Sequence, residues 1–404
     1  MAENNEQENL KPIDVDQLLD KQSEQTRSKF IKEDKKKFLD INFSWPMLIV
    51  VAGGIFGFGF AMQSGTTYGA GFAILYIIIA LIAAIILYNI GKMIFASLSG
   101  YKVGRIECFG YELIRGKNKS ISSYSISNIL EFHVTYVPKD ENANPKNRLM
   151  LFGGELFYSL IAIALIVVSV AVPSLGANIT KTLMYGALLG FIVVIYEMVP
   201  FRLDNYNDTY TAIITSSEED RKAYNTYLVN YINDRLGLEN KVIVYDSYDN
   251  SRTKPLNILP KLNQEVYDNK YQEALKTLEL VNKYKLNVIP NQQVEAMQEE
   301  IYLFLTHSRT KEAEKLMLPL DKKIKSTPDY HPSISSLRCS ILISGLLANS
   351  EYDLADSILD FNKECKKLGK TPRVEKEIEM AKNSLERIKL AHPDWKFDNI
   401  TIAE

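Results

Sequence analysis

The sequence predicts a mainly α-helical membrane protein. It reads as a polytopic bundle of four transmembrane helices with a cytosolic β-hairpin-like insert, followed by a C-terminal domain of tetratricopeptide-like helical repeats. Three observations carry this reading. Apolar residues concentrate before Arg202, while most of the charge lies after it. Four apolar runs in the first half each approach the roughly 20 residues a helix needs to cross the hydrocarbon core. From Leu259 onward, short apolar-periodic helices recur at intervals of roughly forty residues, close to the period of helix-turn-helix solenoids.

The runs are Trp45 to Met62, Tyr68 to about Ile90 with a helical pattern continuing to Leu98, Leu149 to Val172, and Leu183 to Val199. A buried helix of a large soluble protein can pass the same length criterion, but four such runs in one short region are hard to bury otherwise. Orientation follows from the basic residues. Lys29, Lys32, Lys35, Lys36 and Lys37 precede the first run, and the 99–148 segment carries Lys102, Arg105, Arg115, Lys117, Lys119, Lys139, Lys146 and Arg148. The link from Gln63 to Thr67 has no charge, and the link between the third and fourth runs has only Lys181. Both termini and the 99–148 segment are therefore expected on the cytoplasmic side of a cell membrane. The expected divisions are a cytosolic segment 1–44, a membrane domain 45–201 containing the 99–148 insert, a connector 202–256 and a helical-repeat domain 257–404.

Composition excludes several classes. The formal net charge is -2, and no basic patch interleaved with aromatics points to nucleic acid. Cys108, Cys339 and Cys365 form neither a CxxC pair nor a metal-ligand spacing, so no disulfide framework or zinc knuckle is expected. Residues 1–44 are polar and do not read as a signal peptide. No cofactor motif stands out.

Within the insert, Gly104 to Ile126 alternates apolar and polar residues around Gly116-Lys117-Asn118, the pattern of a β-hairpin. Pro138 to Lys146 reads as a polar loop. Ser216 to Leu236 is helical in pattern, with Ser217 placed to cap it before Glu218, Glu219 and Asp220. Residues 240–256 read as a linker or a short strand at Val242-Ile243-Val244. Three stretches then resemble one another, opening at Tyr271, Thr310 and Tyr352 and carrying Ala274, Ala313 and Ala355. Helix-like stretches Leu259–Asn269, Val294–His307 and Ile334–Ala348 precede them, and Arg373 to Ala391 is a further helix. Repeat helices usually present a binding surface rather than chemistry, which makes protein–protein contact the default role.

At the end of the second run the chain reads Tyr88-Asn89-Ile90-Gly91-Lys92, and later Gly100-Tyr101-Lys102. Gly153-Gly154 opens the third run, and Met198-Val199-Pro200-Phe201 is followed by Asp208-Thr209-Tyr210. In order and spacing this resembles the site-2 protease family of intramembrane zinc metalloproteases over about residues 45–240. In that family two histidines one helical turn apart grip zinc, and the glutamate beside the first is the general base. A later Asp completes the metal site. The resemblance places Tyr88 and Lys92 at the histidine positions, Asn89 at the general base and Asp208 at the third ligand, with Thr209 where the family has Gly. An ammonium is a poor zinc ligand, and an asparagine cannot take a proton as a carboxylate does. His133, His307, His331 and His392 lie outside the apolar runs and cannot supply the missing pair.

The resemblance therefore implies a member without a zinc site and without catalytic residues. It would bind a transmembrane segment or peptide, and a cytosolic partner protein, in a regulatory, sensing or immunity role. The rival expectations are a working membrane metalloprotease with a divergent site and a transporter-associated subunit. Lys92, Glu155 and Glu197 are charged residues within apolar runs. Such groups either face an interior partner or snorkel to the interface, and the sequence leaves both open. If the alignment holds, Lys92 and Asp208 approach each other, with Tyr88 on the same helix face.

Overall fold

The computed structural model describes residues 67–402, apart from 109–110, 116–120, 126–131, 173, 175, 201–206, 286, 328–329 and 398–400. The first apolar run, Trp45 to Met62, lies outside the described residues. The second is helix α1, Thr67–Leu98. It contains no proline, and it stops where Gly100 turns to φ 86. The Ser99 hydroxyl donates to the Phe95 carbonyl at 2.7 Å and closes the last turn.

Four strands follow: β1, Tyr101–Cys108; β2, Tyr111–Arg115; β3, Ile121–Ser125; and β4, Phe132–Pro138. They form one antiparallel sheet in the order β3-β2-β1-β4. The span expected as one hairpin, Gly104 to Ile126, thus contains three strands: its first arm is divided into β1 and β2, and β2 pairs with β3, while β4 is an element that period-2 alternation could not reveal. Val134, Thr135, Tyr136 and Val137 are buried in succession because both faces of the sheet are covered. Tyr101, Val134 and Tyr136 pack on Ala96, Met150 and Leu151. Ile114 and Val137 pack on Leu228, Val229 and Ile232 from the other side. Between Val103 and Arg105 the register with β4 slips at Gly104. A Cβ there would lie 3.2 Å from the Val137 methyl groups, so the bulge sits where a side chain would crowd β4.

The third apolar run is split in two, α2 (Arg148–Leu151) and α3 (Gly153–Ala171), with a break at Phe152. The fourth, Leu183 to Val199, falls in α4, Gly176–Met198, which begins earlier than the apolar run and ends one residue before it. Helices α1, α3 and α4 pack around Ala84, Tyr88, Tyr158, Ala162, Ala187 and Val193. The Tyr158 hydroxyl lies 3.1 Å from the Ala187 carbonyl on α4. Among the described residues two helical stretches are long and apolar enough to cross a membrane, Ile79–Leu98 and Arg148–Ala171; of the other two expected runs, the first lies outside the described residues and the fourth is described only in part.

A short helix α5, Asp208–Ile214, leads to α6, Glu218–Arg235. Ser217 caps α6 as expected, its hydroxyl accepting from the Asp220 amide at 3.0 Å. Residues Val242-Ile243-Val244 form no strand. A 3-10 turn at Lys254–Asn257 then opens the C-terminal helices: α7 (Ile258–Tyr267), α8 (Tyr271–Lys283), α9 (Pro290–Thr306), α10 (Thr310–Lys325), α11 (Ile334–Leu346), α12 (Glu351–Leu368) and α13 (Pro372–Ala391). Helices α7 with α8, α9 with α10, and α11 with α12 pack as consecutive pairs. Ala274 and Ala313 are fully buried where their pairs meet, but Ala355 is exposed and Leu354 is buried in its place. The third stretch is therefore offset by one residue from the alignment by alanines. Arg338 lies fully buried in this half, 2.5 Å from Glu299 and 2.6 Å from Glu377.

Candidate functional site

The polar groups of the apolar bundle converge at one end of it, above the sheet. Tyr88 and Lys92 are one turn apart on α1 and both buried. The close approach of α3 aims them inward. A Cβ on Gly154 would lie 2.6 Å from the Tyr88 ring, and a Cβ on Gly91 would overlap Phe157, so both helices need glycine where they cross.

Asp208 comes from the opposite side at the start of α5. Asn207 fixes it there: its side-chain oxygen accepts from the Tyr210 amide at 2.9 Å, and its amide nitrogen donates to the Tyr196 carbonyl at 3.0 Å, tying α5 to the end of α4. The Lys92 ammonium then lies 2.5 Å from Asp208 Oδ1. The Tyr88 hydroxyl donates to Asp208 Oδ2. Glu197 Oε2 accepts the Asp208 backbone N–H at 2.9 Å.

The approach of Lys92 to Asp208 expected from the sequence is present, and Tyr88 shares the carboxylate. Lys92 faces an interior partner rather than snorkelling. Asn89 is buried but donates to the Ile85 carbonyl of its own helix at 2.9 Å and makes no contact with Asp208. Glu155 is 7% exposed, and among the described residues neither of its carboxyl oxygens meets a hydrogen-bond donor.

Two further groups come from β4. The Lys92 ammonium lies 5.8 Å from the Tyr136 ring centroid. Burial, ahead of the opposing Lys92 charge, raises the Tyr136 hydroxyl well above its ordinary range. Burial, then the Lys92 and Arg105 charges, push His133 down to about 3, so it is a neutral imidazole across the physiological range. Sequence reasoning set His133 aside and did not single out Tyr136. The β-branched and aromatic run Phe132-His133-Val134-Thr135-Tyr136-Val137 was the available signal.

Chemically, the cluster sets one ammonium and two phenols against three carboxyl groups. Zinc fits it poorly: Asp208 is already engaged by an ammonium and a hydroxyl. Among the described residues no group of three or more His, Cys, Asp and Glu side chains is arranged to hold a metal ion. Compared with protein-family models, with characterised proteins and with solved structures, the chain matches none.

Proposed function

We propose that the chain is a polytopic membrane protein that resembles a site-2 protease core but holds an ion pair where that family holds zinc. On this reading it binds a transmembrane segment or peptide without cleaving it, and its C-terminal helices engage a cytosolic partner in a regulatory role. The observation that carries the reading is the closed Lys92–Asp208–Tyr88 contact. The ammonium supplies the positive charge that a metal would otherwise bring to Asp208, so the fold keeps its polar centre while losing the means to activate water.

The surface of the bundle supports the membrane part. Ile79, Ile82, Ile86, Ile90, Ile94 and Leu98 form an exposed apolar stripe along α1, and Leu156, Leu160, Ile163 and Val167 do the same on α3. The polar residues face inward. This arrangement is inverted relative to a helix on a water-soluble protein. In the most apolar parts of Ile79–Leu98 and Arg148–Ala171 only 39% and 33% are buried, which supports lipid rather than protein around them.

The test is metal analysis of the full chain purified in detergent after growth with added zinc. The expected result is zinc far below one equivalent per chain, unchanged by Asp208→Asn. Stoichiometric zinc lost on that substitution refutes the reading.

A further inference from the structure

Glu155 stands apart from the rest of the polar centre. It lies in the first turn of α3, about two helical turns in from Arg148 on the span Arg148–Ala171. Both of its carboxyl oxygens are buried, and among the described residues neither meets a donor. Asp208, Lys92 and Glu197 all act on it electrostatically. Lys92 is committed elsewhere, 2.5 Å from Asp208 Oδ1. Glu197 takes the Asp208 backbone N–H and brings a further carboxyl group rather than a cation. The Tyr136 hydroxyl, on the ring that faces the same ammonium, is also buried without a hydrogen-bond partner among the described residues. The centre therefore places one ammonium among three carboxyl groups. A buried carboxyl group with neither cation nor donor is costly, above all inside a membrane domain.

We propose that Glu155 is the seat for a basic side chain of the bound transmembrane segment, a lysine or arginine carried about two turns inside the segment's end. This rests on the reading that the membrane domain binds such a segment, and it names what is recognised in it. Phe152 and Leu156, which flank Glu155 in sequence, are exposed apolar residues, so a lipid-embedded helix finds an apolar surface on α3 there. Lysine and arginine have the length to carry a charge away from such a helix to a buried partner while their stems stay among apolar groups. An unpaired cation on the segment and an unpaired carboxylate on the protein are each costly within the bilayer, and pairing relieves both. A segment with leucine at that place gains packing alone. A metal ion is the poorer occupant, because among the described residues no three His, Cys, Asp and Glu side chains are arranged to hold one.

The experiment uses the full chain in detergent micelles and three fluorescein-labelled leucine-alanine helices of about 22 residues, read by fluorescence polarisation. One helix carries lysine about two turns from each end, so that either orientation presents it. The second carries Nε-acetyl-lysine at the same places, and the third carries leucine. Saturable binding of the lysine helix is expected, about tenfold tighter than that of either neutral helix. Glu155→Gln keeps the size of the side chain and removes its charge. It should lower the lysine helix to the affinity of the neutral ones, whose own retained binding shows that the variant is folded. Glu155→Asp keeps the charge and should keep the preference. Glu386→Gln removes a carboxylate from an exposed site of the C-terminal helices and should change nothing. Equal binding of the three helices by the wild type overturns the proposal and leaves the segment-binding reading in place. A lysine preference that survives Glu155→Gln does the same. Failure of all three helices to bind overturns both.

Discussion

Replacing Lys92 by methionine keeps most of the side-chain length and apolar stem and removes the ammonium. The structure sets the size of the effect. The two side chains are 9% and 5% exposed, with Nζ 2.5 Å from Oδ1. At an effective dielectric constant near 20, that separation corresponds to a gross attraction of roughly 6–7 kcal/mol. Desolvation of both groups offsets much of it, but the loss of one partner strands the other. Lys92→Met should therefore destabilise the protein by about 3–5 kcal/mol, against the 0–1 of an exposed pair. Asp208→Asn should cost less, because Glu197 remains near the ammonium and the amide still accepts from Tyr88. In the double variant no charge is stranded, so its cost should fall short of the sum by about 1–3 kcal/mol. Reversible unfolding of the four proteins in mixed micelles measures this cycle. Additivity to within about 0.5 kcal/mol would mean that the pair is not coupled, and the account of the site would fail with it.

Reporters fused after Arg202 or inserted near Asn142 should be cytoplasmic, and reporters near Gly65 or Gly176 exported; an exported 142 site contradicts the orientation. Gly154→Val should drive a side chain into the Tyr88 ring and cost about 1–3 kcal/mol, measured by thermal unfolding, whereas Gly369→Ala has open space and should show only the strain of its positive φ. Arg338→Met should destabilise the C-terminal helices by about 3–5 kcal/mol, since Glu299 and Glu377 would be left buried without their cation; a neutral result in urea unfolding would show that these carboxyls are not ionised. Burial, then the Asp234 carboxylate, push Glu295 on α9 up to about 8 in the folded chain, so the folded state holds its proton longer than the unfolded one, and this contribution to stability is present below about pH 4.5 and lost as pH rises to about 8. The melting temperature of wild type should accordingly fall from pH 5 to pH 8.5 relative to that of Glu295→Gln, and parallel curves would refute it.

Much of this protein follows from local pattern. The helices of both halves come from periodicity and uninterrupted apolar stretches, and the Ser217 cap comes from one hydroxyl followed by three acids. Such features act over a few residues and need no partner. Lys92 and Asp208 were legible as a pair only through a resemblance in spacing, because nothing local brings together residues from α1 and α5. Strand β4, and with it Tyr136 and His133, was missed because a strand covered on both faces loses its alternation. The choice between an interior and a snorkelling Lys92 belonged to the glycine-lined crossing of α1 and α3, which the sequence marks only as small residues. Ala355 shows the same limit from the other direction: the repeat of alanines is real in sequence, but packing selected Leu354 for the buried position. Residue type and spacing determine which elements form. Which side chains share a buried space depends on how those elements cross, and only the tertiary structure decides that.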